Sequence, residues 1–254
     1  MFKLTLALIA VSLAALVDAQ NYCNPNLCGQ LKHIGCNHNG GWSAACPASP
    51  APFIIQMNDT LSTHIVRMHN IRRDRLARGL ITGYSTARRM GTMRWNAELA
   101  SLARLNVLQC QAKEDACHNT VNFRNSGQNL FHFTYEGPWT ERTNEMLITR
   151  AINTWWFEHE NANMAVINSY PASWTGSPIR HFALMAQQAN IAVGCAASRF
   201  VTDGLNNFLL ACNYAVSNVA GQRVYAAGVV GSQCQLGTNV NFDGLCKFAE
   251  IYNV

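Results

Sequence analysis

The sequence predicts an α+β or α/β domain in packed layers, stapled by disulfides. Three observations point there. Helical apolar periodicity fills the first half of the chain, two β-rich apolar runs follow it, and ten cysteines lie downstream of an apolar leader. Helices first and mostly antiparallel strands later are what a layered helix-on-sheet domain produces.

The leader comes first. Met1-Phe2-Lys3 is a positive start, Leu4 to Leu16 an apolar run, and Val17-Asp18-Ala19 a small-residue cleavage site. Residues 1–19 therefore read as a secretory signal peptide, with Gln20 as the mature N-terminus. The run is shorter than the ~20 residues of a membrane span, and no second run of that length occurs. Phe248 to Val254 is too short for a lipid-anchor signal. All ten cysteines survive cleavage, and an even set is the mark of a disulfide framework in an extracellular, oxidising compartment. Asn58-Asp59-Thr60 then becomes an N-glycosylation sequon.

Length and composition bound the rest. The chain has 254 residues, 49% of them hydrophobic, which suits one large domain with small appendages. The formal net charge is +5, and it survives loss of the leader because Lys3 and Asp18 cancel. Arg72, Arg73, Arg75 and Arg78 cluster, with Arg88 and Arg89 close behind. They read as a solvated helix face, the alternative being the footprint of an acidic or heparin-like partner. No nucleic-acid motif occurs. Residues 20–57 form a Cys-rich N-terminal extension that ends in the extended linker Cys46 to Pro52. Residues 58–218 carry regular patterns, and residues 219–254 form a C-terminal extension with the Cys234 and Cys246 pair.

Each element of the middle region has its own signal. Ile65, His69, Arg72 and Leu76 make one helical stripe, capped by Asp59 or Ser62 and stopped by Gly79. A second helix starts at Asn96 and turns Leu99, Leu102 and Ala103 inward. A third runs from about Glu141 to about Glu160 with the stripe Leu147, Ala151, Trp155 and Glu158. A short fourth follows Asn161. Asn190–Ala196 and Phe208–Val216 are the β-rich runs, joined through Gly204-Leu205-Asn206-Asn207 as a hairpin, and Cys195 and Cys212 suit a bridge across it.

Two polar residues, His69 and Glu158, fall on core-facing stripes, where each is costly without a partner. His181 precedes the strands, and Gln128 sits in the Gly-marked turn Ser126-Gly127-Gln128. Converged, they offer two imidazoles, one carboxylate and one amide. Two His and a carboxylate hold zinc with an open position, or a His/Glu pair shuttles protons. The plainer reading is hydrogen-bonded core residues. His159 and Glu160 share no face with Glu158 and read as solvated. No local zinc motif and no nucleophile elbow occur. Trp95 and Trp155 read as packing; Trp139 and Trp174, in loops, are candidate groove walls.

The ordered motifs carry a resemblance. Met68-His69-Asn70 with the following arginines and Arg78-Gly79, Arg94-Trp95-Asn96-Ala97-Glu98-Leu99, Gly127-Gln128-Asn129, Trp155-Trp156-Phe157-Glu158, Arg180-His181-Phe182 and Ala211-Cys212-Asn213-Tyr214 span residues 58–218 in order. Together they resemble the CAP superfamily, also called SCP/TAPS. The six cysteines Cys23, Cys28, Cys36, Cys46, Cys110 and Cys117 are similar to those of its insect antigen 5 group of venom and salivary allergens. The resemblance implies a three-layer α-β-α sandwich. It implies the bridges Cys23–Cys36, Cys28–Cys117, Cys46–Cys110 and Cys195–Cys212, leaving Cys234 to pair with Cys246. It places His69, Gln128, Glu158 and His181 in the cleft, where some members bind zinc through residues that here would be His69, Glu158 and His181. Gln128 stands where the superfamily usually has an acid, and Ala183, Leu184 and Ala186 also depart from its pattern.

What the resemblance implies for function is a secreted, non-enzymatic effector or binding protein of the insect salivary or venom allergen type. Its expected partner is an extracellular protein, lipid or small mediator, with no required cofactor and a monomeric state. The alternatives are a metal-assisted or His/Glu-based hydrolase using the cleft, and a reproductive-fluid protein.

Overall fold

The computed structural model describes residues 21–254; the leader and its cleavage site lie outside them. The cysteine-rich segment supplies a short helix α1 (Pro25–Cys28) and a strand β1 (Phe53–Ile55). Then come α2 (Asp59–Ala77), β2 (Met90–Gly91), β3 (Arg94–Trp95), α3 (Ala97–Val107) and β4 (Gly127–Tyr135). They are followed by α4 (Asn144–Phe157), α5 (Met164–Asn168) and α6 (Arg180–Ala186). The chain closes with β5 (Ala192–Thr202), β6 (Leu205–Tyr214), β7 (Thr238–Asn239) and β8 (Phe242–Cys246).

The central sheet has the order β1-β5-β6-β4, all antiparallel, with β3 joining β5 in parallel. Alternation along β6 sorts the core into two layers. Phe208, Leu210, Cys212 and Tyr214 pack with α2, α4 and α6, whereas Leu209 and Ala211 pack with α3. The result is an α-β-α sandwich. α3 sits so close to β5 that a Cβ on Gly194 would lie 2.2 Å from the Ala100 nitrogen. A second small sheet, β2-β8-β7, folds the C-terminal region back against α2, where Asp74 accepts the Gly244 N–H at 2.8 Å.

Helix ends follow local chemistry, with corrections to the sequence reading. Asn58, not Asp59 or Ser62, caps α2: its side chain accepts the Leu61 N–H at 3.0 Å. Gly79 ends α2 as expected, at φ +71°, with Gly79 N–H on the Leu76 carbonyl and Leu80 N–H on that of Arg75. Asn96 caps α3. α4 is shorter than the expected span of about Glu141 to about Glu160, because Thr143 caps it and its last turn tightens into a 3₁₀ turn at Glu158–Asn161. The hairpin turn is Asp203-Gly204, with φ +52° and +76°, so Leu205, Asn206 and Asn207 belong to β6.

Two further expectations change. Gln128 is not in a turn; it is the second residue of the nine-residue strand β4. The arginine cluster is a solvated face only in part: Arg75 and Arg78 are exposed, but the other arginines are drawn into the structure. Arg73 is fully buried, and its guanidinium donates to the carbonyls of Gly91, Met185, Gln187 and Gln188. Arg72 reaches Asn153, Arg88 the Ala227 carbonyl, and Arg89 pairs with Glu250 at 2.8 Å. These side chains join α2 and the following loop to their neighbours.

The five disulfides are Cys23–Cys36, Cys28–Cys117, Cys46–Cys110, Cys195–Cys212 and Cys234–Cys246, with no free cysteine among the described residues. The second and third tie the N-terminal segment to the chain that follows α3. Cys195 and Cys212 are direct cross-strand partners.

Candidate functional site

Glu158 and His181 meet. Glu158 ends α4's apolar stripe in the 3₁₀ turn, and His181 lies on α6, a helix the sequence reading did not include. Glu158 Oε1 is 2.5 Å from His181 Nδ1. Glu158 Oε2 accepts the backbone N–H of His181 at 2.8 Å and of Phe182 at 3.2 Å. α6 has no side-chain cap of its own, so this carboxylate supplies one from another element. A carboxylate at a helix N-terminus also matches the helix dipole. The His181 ring stacks on Trp155 at 6.2 Å. With Nδ1–H given to Glu158, Nε2 is the remaining basic position on the ring.

His69 does not reach this pair. It is fully buried, with Nδ1 2.8 Å from the Ile65 carbonyl and Nε2 2.9 Å from the Tyr214 hydroxyl. The carbonyl can only accept, so Nδ1 carries the proton and the hydroxyl donates to Nε2. Burial lowers the His69 pKa to about 4, the nearby Arg72 and Arg73 charges acting in the same direction, so the ring is neutral. A polar chain runs on from it: Asn129 Nδ2 donates to the His181 carbonyl at 3.2 Å and toward the Tyr214 hydroxyl at 3.4 Å.

Gln128 lies on the opposite face of the sheet. Its neighbour Asn129 points toward α6, so Gln128 points toward α3. Gln128 Nε2 donates to Asp115 Oδ2 at 2.7 Å and to Asn213 Oδ1 at 2.9 Å, and its Oε1 accepts the Asp115 N–H at 3.0 Å. The other Asp115 oxygen accepts from Asn106 and Gln109. A carboxylate is therefore present beside Gln128, supplied by Asp115.

Asp115 is a residue the sequence reading missed, and so is His118, which is 8% exposed. Neither His118 ring nitrogen makes a well-formed hydrogen bond. Burial lowers its pKa, with Asp115 and the Gly127 backbone pulling the other way. Both residues lie in an irregular loop with no periodic signal. The Asn213 and Tyr214 partners were open to discovery, since alternation about Cys212 puts them on opposite faces. Trp155 is core, as expected. Trp139 packs edge-on against Phe53 and Trp174 donates to the Ser177 carbonyl. Glu160 is exposed, but His159 is half-buried among Tyr84, Trp156, Phe157 and Phe182.

The proposed zinc set of His69, Glu158 and His181 does not fit an ion. Both His69 nitrogens are spent inside the core, and Glu158 is spent on α6. Among the described residues no group of three or more His, Cys, Asp or Glu is placed to hold a metal.

Comparison with known proteins agrees with the fold. The model of the cysteine-rich secretory protein family, CAP, matches residues 66–214. Venom allergen-1 of Aedes albopictus is 35% identical over 231 residues, covering 89% of this chain and 87% of that protein. The antigen 5 like allergen Cul n 1 of Culicoides nubeculosus is 37% identical over 208 residues, covering 78% of this chain and 92% of that one. The crystal structure of NaASP2 with zinc aligns with a TM-score of 0.60 over 80% of this chain and 100% of its own, at 21% identity, which speaks for the fold alone. Matched over more than half its length, and with relatives of this identity, the chain belongs to the cysteine-rich secretory protein (CAP) family, alongside the insect venom allergen and antigen 5-like proteins.

Proposed function

We propose that this chain is a secreted, non-enzymatic effector or binding protein of the insect salivary and venom allergen type. The observation that carries this reading is the use of Glu158. All three of its hydrogen bonds hold α6 and His181 in place. Together with the buried, neutral His69, this supports a site that shapes a surface rather than one that turns over a substrate. Five disulfides, and no helix among the described residues long and apolar enough to cross a membrane, support an extracellular setting. Asn58 is exposed, and its cap uses the side-chain oxygen, which leaves the amide nitrogen for a glycan.

Tissue-resolved expression tests the reading. Strong transcript in a salivary or venom gland supports it, and expression confined to the male tract contradicts it. The unengaged His181 Nε2 favours one second reading, a His/Glu-based hydrolase. Turnover of ester or peptide substrates that is lost in His181→Ala would establish that reading instead.

A further inference from the structure

The exposed loop between Cys36 and Cys46 holds an unusual arrangement around Asn39-Gly40. The Gly40 N–H donates to His38 Nδ1 at 2.8 Å. Asn39 Oδ1 accepts the Gly41 N–H at 2.9 Å. Gly40 has φ +76°, and the space where its Cβ would sit is empty to 4 Å. No side chain crowds the Gly40 backbone, its N–H faces a base, and the neighbouring side-chain carbonyl faces a donor.

We propose that Asn39 is a self-modifying site, in which the Gly40 nitrogen attacks the Asn39 side-chain amide with His38 as the base, giving aspartate and isoaspartate. The Gly40 proton passes to His38 Nδ1 as the bond from nitrogen to Asn39 Cγ forms. The Gly41 N–H stabilises the oxygen as it gains negative charge. The bond from Cγ to Nδ2 then breaks, and the leaving group takes the proton from His38 and departs as ammonia. One water opens the resulting succinimide at either carbonyl. Ammonia is lost, water is gained, and no electrons change hands.

The surroundings suit the base. Burial, with Arg104 and Lys32 nearby, holds the His38 pKa below its ordinary value despite Asp115, so the ring is a neutral acceptor at neutral pH. His38 also lines a cavity of about 510 Å³ with Lys32, Lys113 and Asp115. Conversion at Asn39 adds a carboxylate to the loop that borders this cavity and lowers the net charge by one. The isoaspartate product also lengthens the loop's backbone. The site thus changes what the N-terminal segment presents to a partner as the protein ages.

The test is peptide mapping by mass spectrometry, with isoaspartyl methyltransferase labelling, after the folded protein has stood in neutral buffer. Asn39 is expected to convert well ahead of Asn125, which precedes Ser126. His38→Ala is expected to slow Asn39 by roughly tenfold or more, with Asn125 unchanged. An intact Asn39 beside a converted Asn125, or a His38→Ala variant that converts at the wild-type rate or faster, overturns the proposal.

Discussion

Glu158 holds His181 twice, through the imidazole at 2.5 Å and through the backbone N–H at 2.8 Å. The pair joins the end of α4 to the start of α6, so each helix fixes the other's terminus. Removing the carboxylate leaves a half-buried ring nitrogen and two backbone N–H groups without partners. Glu158→Ala is therefore expected to lose about 3 kcal/mol of stability, and Glu158→Gln about half of that. Urea unfolding of the oxidised protein measures both. An alanine variant as stable as wild type would show that the cap does not matter.

His69 makes the fold sensitive to acid. Its pKa is about 4 in the folded protein, against 6.5 ordinarily, because burial disfavours the imidazolium. Between those values the unfolded chain binds a proton that the folded one does not. Stability is thus intact above about pH 6.5 and falls as pH drops toward 4, by about 3 kcal/mol in total. His33 and His118, also lowered by burial, add to the same trend. Unfolding free energy measured across this window should flatten in His69→Gln, and an unchanged slope would reassign the effect.

Arg73 is a buried guanidinium whose hydrogen bonds all go to carbonyl oxygens. Lysine has a single ammonium and lacks the planar fork that reaches several acceptors at once. Arg73→Lys and Arg73→Met are both expected to lose on the order of 3 kcal/mol or more. Thermal denaturation checks this, and full retention by the lysine variant would contradict it.

The bridges should differ in weight. Cys28–Cys117 closes a separation of 89 residues and Cys195–Cys212 one of 17. Loop-closure entropy gives roughly 4.5 and roughly 3 kcal/mol respectively. Paired alanine variants compared in urea test the order. If the shorter bridge matters more, the extra loss measures its packing between β5 and β6.

Much of the fold was legible because its signals are local. The stripe Leu147, Ala151, Trp155 and Glu158 is buried as read, and Asn96 and Gly79 mark real helix ends. What failed needed long-range partners. Arg73 looks like a surface charge until the carbonyls of Gly91 and Met185 are folded around it. Gln128 follows a glycine that reads as a turn, yet pairing with Asn213 across β6 makes it a strand residue. No local signal marks α6, a short and mostly apolar segment whose cap comes from Glu158, 23 residues upstream. The cleft residues were correct in type for a shared site. Strand alternation and burial then separated Gln128 and His69 from the pair that meets.

The central claim is that Glu158 and His181 form a structural pair and not a metal site. Isothermal titration of the purified protein with zinc at neutral pH, beside His181→Ala, tests it most directly. The expected result is no saturable one-to-one heat in either protein. One-to-one binding by the wild type that disappears in His181→Ala would contradict the account.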